Sequence, residues 1–207
     1  MNRTKRITLL IIFTLIFGII AFFHESRLGK WVDNEVYEFI YSSESFITTS
    51  ILLGATKIGE VWAMVCLSLM LVAYLMLKKY RIETLFFVIV MILSSIINPV
   101  LKNIFDRERP TLLRLIDITG FSFPSGHAMG STSFFGSAIF IANRRMSGSY
   151  KGVLIGLCAL FIMLISISRV YLGVHYPTDV IAGIIGGAFC IVLSTLILKK
   201  QLYPSSS

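Results

Sequence analysis

The sequence carries little charge. Charged residues make up 14% of its 207 residues, and its mean hydropathy is +0.82. Soluble domains carry about 25% charged residues, so this composition excludes an ordinary water-soluble domain and indicates an integral membrane protein. Acidic residues are especially few, with 11 Asp and Glu against 19 Lys and Arg. The net charge of +8 does not indicate nucleic-acid binding, because the cations lie in short clusters between apolar runs.

Cysteine is also scarce. Cys66, Cys158 and Cys190 all lie in apolar runs, and their odd number and spacing exclude a disulfide framework or a cysteine metal site. We expect them to be small core residues. A signal-peptide cleavage site is likewise missing, because polar residues rather than small ones follow the first apolar run, 7–23. We therefore interpret that run as a retained span.

Six apolar runs are long enough, or nearly so, to cross a membrane, which takes a helix of roughly 20 residues. Each run is apolar on all sides, and lipid offers the backbone no hydrogen-bond partner, so helices are expected rather than strands. The runs are 7–23, 61–77, 85–105, 127–142, 152–168 and 180–198. The sequence predicts an all-α membrane protein of six transmembrane helices, in one domain over 1–207 with a tail at 199–207.

The longest segment outside these runs is 24–60, between the first and second. Trp31, Val36 and Phe39 can share one side of a short helix, with Asp33 among the more polar positions. The pattern fits an interfacial helix at the membrane surface or an ordinary amphipathic connector, and both remain open.

The basic residues indicate how the chain is oriented. With the N-terminus in the cytoplasm, every inner segment is rich in Lys and Arg, and Glu83 is the one acidic residue of the sequence on that side. This is the positive-inside pattern. The inner basic residues are Arg3, Lys5, Arg6, Lys78, Lys79, Arg81, Arg144, Arg145, Lys151, Lys199 and Lys200. We expect a multi-pass protein of the cell membrane with both termini cytoplasmic.

Three polar clusters interrupt the apolar runs, and this topology places all three on the extracytoplasmic side. They are KNIFDRERP at 102–110, FPSGH at 123–127 and SRVYLGVHYPTD at 168–179. Charge beside membrane spans is costly and is therefore often functional. Cations and free backbone N–H groups suit an anionic phosphoryl group, and two histidines with a carboxylate suit its covalent transfer.

The first cluster contains Lys102 and Arg109, which lie on one helix face or are brought together if Arg109 folds back from a loop before Pro110. Alternatively, they are juxtamembrane cations that contact lipid headgroups. Arg107 and Arg114 fit that second interpretation better.

The second cluster precedes an apolar helix. Ser125 is a natural N-cap, and Gly126 allows a ligand to approach the backbone. The helix start attracts anions and disfavours a charged imidazole. We therefore expect His127, in the first turn, to have an anionic partner. A plain capped helix is the alternative.

In the third cluster, His175 and Asp179 are four residues apart and can touch across one helical turn. A carboxylate on one imidazole nitrogen leaves the other nitrogen as a nucleophile. Arg169 can fork onto phosphate oxygens. The alternatives are a structural His–Asp bond, or a zinc site formed with His127, which the three nearby cations disfavour.

Together the clusters resemble the signature of the type 2 phosphatidic acid phosphatase family (the PAP2 superfamily), KxxxxxxRP, PSGH and SRxxxxxHxxxD. Every signature position and spacing is present, in order, between the third and sixth runs. The resemblance implies a six-helix fold and metal-independent hydrolysis of a lipid phosphate through a phosphohistidine, with no cofactor. It implies that His175 is the nucleophile, Asp179 orients it and His127 is the general acid. The implied phosphate-binding residues are Lys102, Arg109, Ser125, Gly126 and Arg169.

Among bacterial members the chain looks most like those that convert phosphatidylglycerol phosphate to phosphatidylglycerol. Hydrolysis of undecaprenyl pyrophosphate or of a broad range of lipid phosphates is the alternative, and phosphotransfer to an alcohol would use the same residues. A non-hydrolytic anion transporter is a different class, but no inverted repeat supports it. The expected partners are the bilayer and a lipid phosphate, without nucleic acid or an obligate protein partner.

Overall fold

The computed structural model of the protein describes residues 2–111, 115–116 and 118–203. Arg114 and the end of the tail, 204–207, lie outside the described residues. The described part of the chain is helical: α1 Arg3–Phe23, α2 Arg27–Tyr41, α3 Phe46–Ile58, α4 Val61–Leu77, α5 Arg81–Phe105, α6 Gly126–Arg145, α7 Ser149–Tyr171, α8 Pro177–Ile197 and α9 Lys199–Leu202.

All six apolar runs form helices, as the sequence predicts. In the part of the chain that the structure describes, α1, α5, α7 and α8 are long and apolar enough to cross a membrane. The consecutive helices α3 and α4 would make a fifth span if counted together, with a bend of 58° at the break between them. Their apolar surfaces identify a multi-pass membrane protein, which bears out this part of the fold prediction.

The helix α6 differs from the other runs because small polar side chains replace much of its apolar surface. Ser131, Ser133 and Ser137 are fully buried along it. It lies at the centre of the bundle and packs against α5, α7 and α8. Here burial between protein helices replaces contact with lipid, so the helix does not need the hydropathy of a lipid-facing span.

Close packing of α8 against α6 depends on glycine. A Cβ atom at Gly183 would lie 2.5 Å from the carbonyl oxygen of Ser125, and one at Gly187 would lie 2.8 Å from that of Met129. Because these backbone atoms cannot withdraw, only glycine permits the approach. The contact holds the first turn of α6 beside the first turns of α8.

The segment 24–60 contains two helices, α2 and α3, where the sequence indicated one short helix at most. Trp31 and Phe39 on α2 are exposed, as an interfacial helix requires, whereas Asp33 is buried on the opposite side. Of the cysteines, Cys158 and Cys190 are buried as expected, but Cys66 is exposed.

Candidate active site

The three polar clusters lie at one end of the bundle. The helix α5 continues through Pro99 to Phe105, and Asp106 then ends it in the left-handed conformation, with a φ of 39°. The helix therefore stops before Arg109, which folds back towards the loop at 118–122. This is the second of the two arrangements considered for the first cluster.

Lys102 and Arg109 both bind backbone carbonyl groups that precede the PSGH cluster. Lys102 Nζ donates to the carbonyl oxygen of Phe121 and, at 3.4 Å, to that of Ser122. Arg109 Nε donates to the carbonyl oxygen of Gly120 at 2.8 Å. The two cations thus hold the loop that leads into α6.

The start of α6 has the capped geometry that the sequence predicts. Ser125 is the N-cap, and its hydroxyl accepts a hydrogen bond from the backbone N–H of Ala128. Its own N–H donates to the carbonyl oxygen of Asp179 at 2.9 Å, which ties α6 to α8. Gly126 follows, and Asn98 Oδ1 lies only 3.1 Å from where a Cβ would stand there. A side chain at position 126 would therefore crowd Asn98, whereas glycine leaves the backbone of the first turn open.

His127 lies in the first turn of α6, within the electrostatic field of Arg169, His175, Arg109 and Lys102. Its Nε2 atom is buried and has no hydrogen-bond partner within the described ranges. The ring packs against the backbone of Gly59 at the break between α3 and α4. A buried polar nitrogen of this kind is suited to a bound ligand.

Arg169, near the end of α7, is 1% exposed. Its Nη1 donates to the hydroxyl of Thr56 on α3, and its Nε has no partner among the residues that the structure describes. Thr56 was not foreseen from the sequence, because nothing in α3 marks one threonine among several.

His175 lies just before α8, whose N-cap is Tyr176 and whose first residue is Pro177. The Nδ1 atom of His175 lies 3.4 Å from Oδ2 of Asp179 and 3.2 Å from the hydroxyl of Ser122, which itself donates to Oδ2. Ser122 is fully buried between the two. It directly precedes FPSGH in the sequence, and that adjacency was the only available signal.

On its other side, His175 faces Arg109. Nη1 of Arg109 lies 3.1 Å from Nε2 of His175 and also donates to the carbonyl oxygen of Val174 at 2.9 Å. A guanidinium group only donates, so Nε2 is the acceptor and the imidazole proton is on Nδ1. Burial lowers the pKa of His175 to about 4, against the opposing effect of Asp179, so the ring is neutral at pH 7.

The expectation that Arg107 is an exposed cation at the membrane surface is wrong. The sequence favoured an exposed cation that contacts headgroups, but the side chain is 5% exposed and pairs with Asp33 and Asp179. The zinc alternative also finds no support, because no three His, Cys, Asp or Glu side chains are arranged as a metal site within the described chain.

A groove of about 660 Å³ reaches the site from the side of the bundle. Apolar side chains of α4 and α5, including Val65, Leu69 and Ile92, line it together with Lys102 and His127. The groove thus joins a hydrocarbon-compatible surface to the charged end of the site.

The PAP2 superfamily model matches residues 83–203, which is more than half of the chain and contains all three clusters. The chain belongs to the PAP2 superfamily. The family predicted from the sequence is therefore confirmed.

Individual PAP2 proteins show the extent of the similarity. Phosphatidylglycerophosphatase B of Bacillus subtilis is 28% identical over 135 residues, which span 64% of this chain and 66% of the relative. An undecaprenyl-diphosphatase of Sulfolobus acidocaldarius is 27% identical over 168 residues, or 79% of this chain and 77% of the relative. The match to the first thus spans just under two thirds of its length.

The fold is shared with the crystal structure of a transmembrane PAP2-type phosphatidylglycerolphosphate phosphatase from Bacillus subtilis. The superposition has a TM-score of 0.85 at 22% identity, and it covers 96% of this chain and 98% of that one. The two chains therefore share their helical fold over almost their whole lengths, including α1 to α4, which precede the matched family region.

Proposed function

We propose that this PAP2 protein is a metal-independent lipid phosphate phosphatase that converts phosphatidylglycerol phosphate to phosphatidylglycerol. The reaction proceeds through a phosphohistidine at the outer face of the cell membrane. The single observation that carries the proposal is the contact of Arg109 Nη1 with His175 Nε2, because it directs an unprotonated nitrogen towards the cationic end of the site.

In the first step, Nε2 of His175 attacks phosphorus while the bond to the leaving oxygen breaks. The cation that forms on the imidazole is stabilised by Asp179, which lies beside Nδ1. Lys102, Arg109, Arg169 and the first N–H groups of α6, near Ser125 and Gly126, balance the charge on the phosphoryl oxygens.

His127 supplies the proton to the leaving alcohol. Water then attacks the phosphohistidine, His127 accepts a proton from it, and inorganic phosphate leaves with His175 restored. Two observations support a ligand in this position: the buried Nε2 of His127 and Nε of Arg169 both have no partner in the described part of the chain. A leaving oxygen and a phosphoryl oxygen would satisfy them.

The groove supports a lipid as the substrate. Its apolar portion between α4 and α5 suits an acyl chain, while its lining by Lys102 and His127 suits the phosphate.

We further propose that the chain crosses the membrane six times. The spans are α1, α3 and α4 together, α5, α6, α7 and α8. The N-terminus is cytoplasmic, since this orientation places Arg144 and Arg145, at the end of α6, on the cytoplasmic side, where basic residues are enriched.

Purified protein in detergent tests the proposal by release of phosphate, in the presence of a chelator, from a panel of lipid phosphates. The panel includes phosphatidylglycerol phosphate, phosphatidic acid and undecaprenyl pyrophosphate. We expect the highest kcat/KM for phosphatidylglycerol phosphate and no turnover by His175→Ala. Loss of activity in chelator contradicts metal independence, and a preference for the pyrophosphate contradicts the assigned substrate.

A further inference from the structure

Arg107 makes more polar contacts than any role at the lipid surface requires. Nη1 donates to Oδ1 of Asp179 at 2.6 Å and to the hydroxyl of Thr178 at 2.8 Å. Nη2 donates to Oδ2 of Asp33 at 2.8 Å and to the carbonyl oxygen of His24 at 3.4 Å. The guanidinium thus connects α2, α8 and the chain between α1 and α2.

Asp33 completes this connection from the side of α2. It is 1% exposed, and its carboxylate accepts hydrogen bonds from the backbone N–H and the hydroxyl of Thr178, both at 2.9 Å. The ring of Tyr176 lies under the guanidinium of Arg107, with its centroid 3.9 Å away. Arg107 and Asp33 therefore hold the residues that join His175 to α8.

The two oxygens of Asp179 have different partners. Oδ2 accepts hydrogen bonds from the hydroxyl of Ser122 and the backbone N–H of Tyr176, and it faces Nδ1 of His175. Oδ1 accepts a hydrogen bond from Nη1 of Arg107. A carboxylate held on both oxygens cannot rotate, so Oδ2 stays directed at the imidazole.

The charges explain why one guanidinium contacts two carboxylates. Asp33 and Asp179 are both buried, and two buried carboxylates without a cation would repel each other and lose their hydration. Arg107 neutralises one charge and leaves the pair of carboxylates with a net negative charge. That charge is available to stabilise the imidazolium that forms on His175 in the first step.

We propose, on the basis of the proposed phosphatase function, that Arg107 is a positioning residue for the nucleophile. It holds Oδ1 of Asp179 so that Oδ2 orients His175, and Asp33 anchors Arg107 to α2. Neither residue touches the substrate. The helix α2, outside the region that the family model matches, thereby becomes part of the machinery that orients the nucleophile.

Four variants separate positioning from folding: Arg107→Gln, Asp33→Asn, the double variant with both changes, and Arg27→Gln as a control at an exposed cation of α2. Each is assayed for kcat and KM with a lipid phosphate and for its thermal unfolding midpoint in detergent. Arg107→Gln leaves the buried carboxylates of Asp33 and Asp179 without a cationic partner, whereas the double variant also removes the charge of Asp33.

We expect Arg107→Gln to lower kcat at least about 10-fold with KM changed by less than about threefold, and to lower the unfolding midpoint. The double variant should regain most of the midpoint but keep the low kcat, because Asp179 still lacks its guanidinium. Asp33→Asn should lower kcat by a smaller factor than Arg107→Gln, about threefold to fivefold, because Arg107 loses its charged anchor on α2 but still contacts Asp179. Arg27→Gln should change nothing.

Recovery of both kcat and the midpoint in the double variant overturns the inference, because Arg107 would then act only through folding. So does an unchanged kcat in Arg107→Gln while His175→Ala is inactive, and in that case the phosphatase function stands. Absence of hydrolysis by the wild type overturns the proposed function and this inference with it.

Discussion

Nη1 of Arg109 lies 3.1 Å from Nε2 of His175. This contact determines which nitrogen of the imidazole is unprotonated and carries the lone pair, since guanidinium groups donate and never accept. Asp179 and Ser122 lie beside the other nitrogen. The ring is therefore held in one tautomer by partners on both sides, before any substrate is present.

The first prediction concerns Arg109 itself. Lysine keeps the charge but cannot reach the carbonyl oxygen of Val174 and Nε2 of His175 with a single planar group. We expect Arg109→Lys to lower kcat/KM by about 100-fold, comparable to the loss of one donor to a reacting oxyanion. Steady-state assays with one lipid phosphate measure the effect, and Arg27→Lys is the matched control. Near-normal kcat/KM in Arg109→Lys would show that charge alone suffices there.

The loss of kcat on removal of His127 is expected to depend on how strongly the leaving group requires protonation. With an alkyl phosphate, His127→Ala should lower kcat about 100-fold or more, because the departing alkoxide needs a proton. With a nitrophenyl phosphate, whose leaving group departs unprotonated, the loss should be much smaller. His175→Ala should lose both activities equally. If His127→Ala loses both equally as well, His127 is not the general acid.

Gly59 is predicted to set the position of His127. A Cβ at Gly59 would lie 2.9 Å from Cδ2 of His127 and 2.7 Å from Cγ2 of Ile165, so both side chains must shift. Displacement of a catalytic group by about 1 Å costs about 10- to 100-fold in rate, and we expect that loss of kcat in Gly59→Ala. Gly54 on α3 is the control, because a Cβ there meets nothing within 4 Å. Equal activities of the two variants would exclude this role.

The buried imidazole of His175 also predicts a dependence of stability on pH. In the folded protein its pKa is lowered to about 4, whereas the unfolded chain has the ordinary value of 6.5. Between these values the unfolded state binds more protons, so the free energy of unfolding contributed by His175 falls as the pH falls from 6.5 towards 4. Above pH 6.5 this contribution is fully present.

Thermal unfolding in detergent at about pH 7 and about pH 4.5 measures this contribution, with His175→Gln as the comparison that cannot titrate there. The wild type should lose more of its unfolding midpoint between the two pH values than the variant does. Equal losses would mean that His175 is as easily protonated in the folded protein as in the unfolded chain.

Much of the fold could be predicted because lipid forces apolar runs into helices. The predicted run 61–77 has the same bounds as α4, and Ser125 caps α6 as its sequence context indicates. The clustering of the candidate site residues could be predicted for a related reason. All of the candidate residues lie near helix ends, and successive spans alternate in direction, so every second helix end lies on the same side of the membrane. These residues are Lys102, Arg109, Ser125, Gly126, His127, Arg169, His175 and Asp179.

The supporting residues could not be predicted, because their burial depends on distant partners. Asp33 looks like a solvated position on a short amphipathic helix, yet its partner Arg107 is 74 residues away in the sequence. Arg107 looks like any cation beside a membrane until Asp33 and Asp179 surround it. Periodicity reports which face of a helix is apolar, but it does not report which charges will pair across the fold.

The formation of a phosphohistidine at His175 is the central claim, and rapid quenching tests it most directly. The protein is mixed with lipid phosphate carrying a labelled phosphoryl group, quenched in alkali within one turnover, and digested for mass spectrometry. We predict an acid-labile, alkali-stable phosphoryl group on the peptide that contains His175, and none in His175→Ala. Turnover by the wild type with no label on His175, or with the label on His127, would contradict the account.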